Sequence, residues 1–209
     1  MRTAEKSLQF QPVTFPIANI LTVARIIMIP LVVILFFMPQ PWAKALTGWL
    51  FILAALTDSL DGYLARKLGQ TSALGAFLDP VADKLMVAVA LILLVSYDPP
   101  LLELFVFDPH MLIAVTATVI VGREITISAL REWMAQVGRS KSVAVNIGGK
   151  VKTVAQLVAI PFLLFNGVLF GMFHTVPVGR LLIWIAAFIT LWSMLVYLKA
   201  AWATERTPH

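Results

Sequence analysis

From Ile20 to Phe37 the chain runs for 18 residues with one charge, Arg25, and one proline, Pro30. That is close to the roughly 20 residues a helix needs to cross a bilayer. In hydrocarbon only helices and closed barrels satisfy their own backbone hydrogen bonds. Similar apolar stretches recur at about residues 42–66, 74–95, 109–137, 151–165 and 178–202. No soluble core of this size absorbs so many of them. Hydrophobic residues make up 60% of the 209 and charged residues only 13%, with a mean hydropathy of +0.90, far from the globular average. The expected fold is therefore all-α, an integral membrane bundle of six transmembrane helices.

The breaks between helices are legible too. Pro39 and Pro41 end the first, and the polar stretch 67–72 with Gly69 makes a short turn after the second. Tyr97-Asp98-Pro99-Pro100 closes the third, and an acidic loop with Asp98, Glu103 and Asp108 leads to the fourth. That fourth helix is too long to lie wholly in hydrocarbon. Its second half holds Arg123, Glu124, Arg131 and Glu132, so it should emerge into water or line a cavity. A Gly/Ser/Lys segment, 138–152, precedes the fifth helix, and 166–177 reads as the loop before the sixth. Residues 1–19, with Leu8, Phe10, Val13, Phe15 and Ile17 among polar neighbours, read as an N-terminal interfacial segment on the headgroups. A plain tail is the alternative. The membrane domain then covers 20–203, and 204–209 form a C-terminal tail. No short apolar stretch with a small-residue cleavage site marks the N-terminus, so the first helix is expected to serve as an uncleaved signal.

The net charge of +5 is dispersed rather than gathered in one patch, which argues against a nucleic-acid partner. With no cysteine there is no disulfide, thiolate metal site or cysteine nucleophile. The positive charges sort by side of the membrane. With both termini in the cytoplasm, Arg2, Lys6, Arg25, Arg66, Lys67, Arg131, Arg139, Lys141, Lys150, Lys152, Lys199 and Arg206 fall on that face, against Lys44 and Arg180 on the other. A bacterial cytoplasmic (inner) membrane is the expected location.

Four of the 11 acidic residues, Asp58, Asp61, Asp79 and Asp83, sit between apolar runs at the cytoplasmic ends of the second and third helices. Carboxylates at membrane depth are expensive and mark function by default. Spacings of three (Asp58, Asp61) and four (Asp79, Asp83) put each pair on one helix face. Two antiparallel helices joined by a short turn can aim the pairs at each other. Such an oxygen-rich pocket suits a hard cation, Mg²⁺ or Mn²⁺. His110, His174 and His209 lie elsewhere, which disfavours zinc. Gly62 and Ala65 leave a bare patch beside Asp61, where a ligand can approach closely. Arg66 offers a fork for phosphate. Together these residues point to a metal-bridged diphosphate.

Singly, each residue has a bland explanation. An acidic pair is common on solvated helix ends, an aspartate at a helix start complements the dipole, and a glycine can be a packing contact. No structural need accounts for all of them together.

The whole stretch resembles the signature of the CDP-alcohol phosphatidyltransferases, D-x2-D-G-x2-A-R-x8-G-x3-D-x3-D. Asp58, Asp61, Gly62, Ala65, Arg66, Gly75, Asp79 and Asp83 fill every fixed position. The resemblance implies an enzyme that uses Mg²⁺ or Mn²⁺, with two ions expected, and moves the phosphatidyl group of a CDP-linked lipid onto an alcohol, releasing CMP. It casts Asp58, Asp61 and Asp79 as metal ligands and Asp83 as both ligand and catalytic base. Asp58, Gly62, Ala65, Arg66 and Gly75 would cradle the CDP-lipid.

Flanking segments, Asn19 to Arg25, Asp79 to Lys84, Arg123 to Glu132 and Gly149 to Gln156, look like the branch whose acceptor is sn-glycerol 3-phosphate. The substrates implied are CDP-diacylglycerol and glycerol 3-phosphate, the product phosphatidylglycerophosphate, the surroundings membrane lipids, and the assembly a homodimer. An acceptor that already carries phosphate needs a second, basic pocket. Arg123, Arg131, Arg139, Lys141, Lys150 and Lys152 can supply it, with Ser140 and Ser142 as neutral donors. Arg123 is the most telling, because it interrupts an apolar helix. For Arg139 a purely topological role is an equal alternative. Glu124 is expected to pair with a neighbour, and Thr126 and Ser128 to be helix-packing hydroxyls.

Another acceptor (inositol phosphate, serine or phosphatidylglycerol) is the nearest alternative. A cation transporter also places carboxylates in the membrane, but usually at the midplane, and has no use for Arg66. Prenyl-diphosphate enzymes use aspartate-rich helices but are typically soluble.

Overall fold

The computed structural model describes residues 17–68, 73–97, 109–137, 147–169 and 173–205. Six helices account for nearly all of them: α1 (Ile17–Phe37), α2 (Pro41–Leu68), α3 (Ala73–Ser96), α4 (Pro109–Gln136), α5 (Ile147–Phe165) and α6 (Thr175–Glu205). Of the expected interfacial segment, residues 1–16 lie outside the described residues. Residues 17–19 belong to α1.

Three helices, over Ile20–Phe37, Met111–Gln136 and Thr175–Lys199, are long and apolar enough to cross a membrane by length and composition alone. α2 and α3, at 28 and 24 residues, have the length, but each carries its aspartates near one end. The outer surface supports membrane residence. Ile27, Ile34, Phe37, Ile92, Phe188 and Trp192 are each at least 60% exposed, an apolar exterior that is stable only against lipid.

The helices pack in the cyclic order α1, α2, α5, α6, α4, α3, and α3 also reaches α5 across the ring. α2 and α3, consecutive in sequence, barely touch, because α1 lies between them. The central core is built from Val32, Phe51, Leu91, Ile120, Ile160 and Leu164, all 1% exposed or less. Two glycines set how closely α5 is approached. A Cβ on Gly48 of α2 would sit 2.9 Å from the Phe165 ring, and one on Gly179 of α6 would sit 2.8 Å from Leu163 Cγ. Small residues at such crossings let backbones come together where no hydrophobic driving force separates helix from lipid.

Between α5 and α6, β1 (Val168–Leu169) pairs antiparallel with β2 (Phe173–His174), in register Val168 with His174. The sequence suggests a loop extending to Pro177. The chain instead closes this small ladder and starts α6 at Thr175, which is fully buried and ties its backbone N and hydroxyl to Gly167 O at 3.1 and 2.9 Å. Pro177 falls in the first turn of α6, where no intrahelical N–H bond is required. α5 begins at Ile147, four residues before the expected start, and takes in Gly148 and Gly149.

Candidate active site

Asp58 stands three turns before the end of α2, and Asp79 and Asp83 lie one turn apart near the start of α3. The sequence leads one to expect the carboxylates of the two helices to face each other directly. In the structure Asp58 and Asp83 do meet side chain to side chain, and α1 adds a buried counter-charge to both. Arg25 Nη1 lies 3.0 Å from Asp58 Oδ1 and 2.6 Å from Asp83 Oδ1. Three residues earlier on the same helix face, the Thr22 hydroxyl donates to Asp79 Oδ1 at 2.5 Å. Arg25 is 1% exposed and Thr22 fully buried, whereas the Asp58 and Asp83 side chains are each 44% exposed. The carboxylates are thus gripped from behind by α1 and open in front.

The remaining motif positions are placed by backbone only. Asp61, Gly62, Ala65 and Arg66 lie on the last turns of α2, and their side chains are outside the described residues. Gly75 is buried in the first turn of α3.

A second charged cluster joins α4, α5 and α6. Arg123, 7% exposed, reaches Glu124 Oε1 at 3.2 Å and Ser193 Oγ at 3.5 Å. Lys152 of α5, 2% exposed, donates to the same Glu124 oxygen. Arg123 and Arg131 both lie over the Tyr197 ring, at 5.9 and 5.7 Å from its centroid, a cation–π arrangement. Two buried cations therefore share one carboxylate, and the cluster keeps a net positive charge.

Two buried donors here have no acceptor among the described residues: Arg123 Nε and Gln156 Nε2, the latter one turn beyond Lys152 on α5 and 4% exposed. Buried donors without acceptors are costly and suit an anion. Gln156 escapes a sequence search based on charge. Its signal was a polar side chain on an apolar helix, four residues from Lys152.

Of the other basic residues, Lys150 belongs to α5 by backbone only. Arg139 and Lys141, with Ser140 and Ser142, lie outside the described residues. Thr126 and Ser128 bond back to Gly122 O and Glu124 O of their own helix, at 2.8 and 2.6 Å. Thr126 is exposed, and its hydroxyl bonds within its own helix.

A cavity of about 110 Å³ lies beside the carboxylates. Arg25, Asp58 and Asp83 line one side, and Thr153 and Leu157 of α5 line the other. Thr153 follows Lys152 in the chain, so α5 contributes both to the cavity wall and to the basic cluster.

Among the described residues no three carboxylates or imidazoles draw together as a ligand set. Arg25 holds two of the aspartates and Thr22 the third. The donors are all hard oxygens, and Asp58 and Asp83 line the cavity, half exposed, around the Arg25 charge, so their chemistry fits Mg²⁺ or Mn²⁺.

The sequence matches the profile of the CDP-alcohol phosphatidyltransferase family over residues 15–192. Among curated proteins, a CDP-diacylglycerol–glycerol-3-phosphate 3-phosphatidyltransferase from Pseudomonas fluorescens is 45% identical over 197 residues, covering 91% of this chain and 92% of the relative. Proteins of the same name from Salmonella choleraesuis and Shigella flexneri are 43% identical over 187 residues, covering 90% of this chain and 95% of each relative.

Proposed function

The chain belongs to the CDP-alcohol phosphatidyltransferase family, and we propose that it transfers the phosphatidyl group of CDP-diacylglycerol to sn-glycerol 3-phosphate, giving phosphatidylglycerophosphate and CMP. The observation that carries this reading is two oppositely charged clusters in one bundle, with α5 contributing to the second and to the wall of the cavity beside the first. Half-open carboxylates line the cavity, and a buried cationic cluster, with two donors unpartnered among the described residues, joins α4, α5 and α6. The first suits a metal-bound diphosphate, the second a phosphorylated acceptor.

Asp58, Asp61, Asp79 and Asp83 would hold Mg²⁺ or Mn²⁺, as two ions in this reading, and the bound metal would supply neutralisation of charge on the diphosphate. Gly62, Ala65, Arg66 and Gly75 complete the cradle for the CDP moiety. Arg123 and Lys152 hold the acceptor phosphate, with Gln156 as a further donor and Arg131, Arg139, Lys141 and Lys150 around it. The glycerol 1-hydroxyl oxygen attacks the lipid-bearing phosphorus, and the bond from that phosphorus to the bridging oxygen breaks. CMP leaves with that oxygen and its electron pair. Asp83 accepts the hydroxyl proton. One of its oxygens is held by Arg25 at 2.6 Å while the carboxylate remains 44% exposed, so it is both oriented and reachable. Catalysis is then mainly positioning and electrostatics, as in other phosphoryl transfers.

In this reading the site faces the cytoplasm of a bacterial inner membrane, where the excess of Lys and Arg lies. Purified protein with CDP-diacylglycerol, glycerol 3-phosphate and either cation should release CMP and form phosphatidylglycerophosphate, and EDTA should stop it. Product only with another acceptor from a panel of serine, inositol phosphate and phosphatidylglycerol would overturn the acceptor assignment.

A further inference from the structure

Arg25 counts, from sequence, among the cytoplasmic charges that orient the bundle. A charge that only sets topology belongs at the surface. Arg25 is instead 1% exposed, the largest side chain among the described residues buried to this degree. Its Nη1 touches a carboxylate from α2 and one from α3 at once. Those two helices barely meet each other, and both pack on α1. Thr22, on the same face of α1, takes the third described carboxylate.

We propose that Arg25 is the positioning residue of the divalent-metal site: its guanidinium is a resident counter-cation that gathers the α2 and α3 carboxylates, in exchange with the metal for their charge. This rests on the aspartates being metal ligands, as proposed above. The physical grounds are direct. Carboxylates drawn together without a cation repel one another, and one of them then takes up a proton or moves away. A guanidinium stays charged when buried and offers several donors in a fixed fork, so it bridges two acids on different helices. It also lies beside the metal's place as a like charge, which must weaken metal binding while it keeps the site assembled. Stability without metal and affinity for metal are therefore opposed through this one residue.

The test uses the full-length protein in detergent or nanodiscs, comparing wild type with Arg25→Met and Arg25→Lys. Thermal unfolding is followed in EDTA and in saturating Mn²⁺, and Mn²⁺ affinity is measured by loss of the free-ion paramagnetic resonance signal. Arg25→Met should unfold at lower temperature in EDTA and recover at least half of that loss in Mn²⁺. It should bind Mn²⁺ more tightly, on the order of tenfold. Arg25→Lys keeps the charge and should stay near wild type in Mn²⁺ affinity, which keeps the test open if the methionine variant does not fold. Equal losses of melting temperature with and without Mn²⁺, or unchanged or weaker Mn²⁺ binding by Arg25→Met, would overturn the proposal and leave the metal assignment intact. If wild type itself shows no saturable Mn²⁺ binding, the metal assignment fails first and this inference with it.

Discussion

The shared carboxylate of Glu124 gives the most quantitative prediction. Lys152 and Arg123 are 2% and 7% exposed, and both rely on Glu124. Glu124→Gln preserves shape and removes the charge, leaving two buried cations without a counter-ion. Breaking a buried ion pair from one side costs about 3–5 kcal/mol. Glu124 is 26% exposed, so some water reaches the site and the lower end, about 3 kcal/mol, is expected. For a chain of this size that corresponds to roughly 6–12 °C in melting temperature. Lys152→Met should cost less, about 1–2 kcal/mol, because Glu124 keeps Arg123 at 3.2 Å. Once Lys152 is gone, Glu124→Gln strands one cation rather than two. The double variant should therefore be more stable than the sum of the singles by about 1–3 kcal/mol. Thermal unfolding of all four proteins, followed by tryptophan fluorescence, measures the cycle. Saturating glycerol 3-phosphate at about 100 times its Kd should add about 2.7 kcal/mol, and more to Glu124→Gln than to wild type, since the phosphate supplies the missing negative charge. Additive single effects, or an unshifted melting temperature for Glu124→Gln, would refute the view that Glu124 is what makes these buried cations tolerable.

The other expected outcomes concern chemistry and packing. Asp83→Asn should abolish CMP release while CDP-diacylglycerol binding persists; lost binding with turnover retained would contradict its role as base. Chelation should stop turnover and added Mg²⁺ or Mn²⁺ restore it, measured as CMP formed in dialysed protein. Gly179→Ala puts a Cβ 2.8 Å from Leu163 Cγ and 3.1 Å from Leu163 backbone N, and should cost about 1–3 kcal/mol. At Gly122 a Cβ meets nothing within 4 Å, so Gly122→Ala should be neutral or stabilise by up to about 1 kcal/mol of helix propensity. The two melting temperatures should move apart, and a shared shift would argue against the close α5–α6 approach.

Helix count and most boundaries were legible because apolar runs, prolines and charge asymmetry all point the same way. The exceptions have physical causes. Gly148 and Gly149 look like loop residues but continue α5, where packing on α6 outweighs their poor propensity. Pro177 looks like a helix boundary but sits in the one turn that needs no N–H bond. At the site, Asp79 and Asp83 were legible as a pair because a spacing of four puts both on one helix face. The role of α1 was not, since no local pattern says which helix lies between α2 and α3. Arg25 did carry a signal. It interrupts an apolar helix as Arg123 does, and Thr22 shares its face three residues away.

The two charged clusters follow one design with the signs reversed. On the α2–α3 side an excess of carboxylate is held by one buried guanidinium; on the α4–α5–α6 side an excess of cation is held by one carboxylate. A site meant for a multiply charged ligand inside a membrane must survive without it, and an unpaired charge there is costly. One internal counter-ion lowers that cost but does not remove the excess, so each site still attracts its ligand. The same counter-ion competes with the ligand and limits affinity. Mutating Arg25 and mutating Glu124 should therefore have parallel effects on opposite ligands: each loss lowers stability in the unliganded protein, and added Mn²⁺ restores the first as glycerol 3-phosphate restores the second. A variant pair in which each ligand rescued both losses equally would mean that the two clusters act as one electrostatic unit rather than as two separate sites.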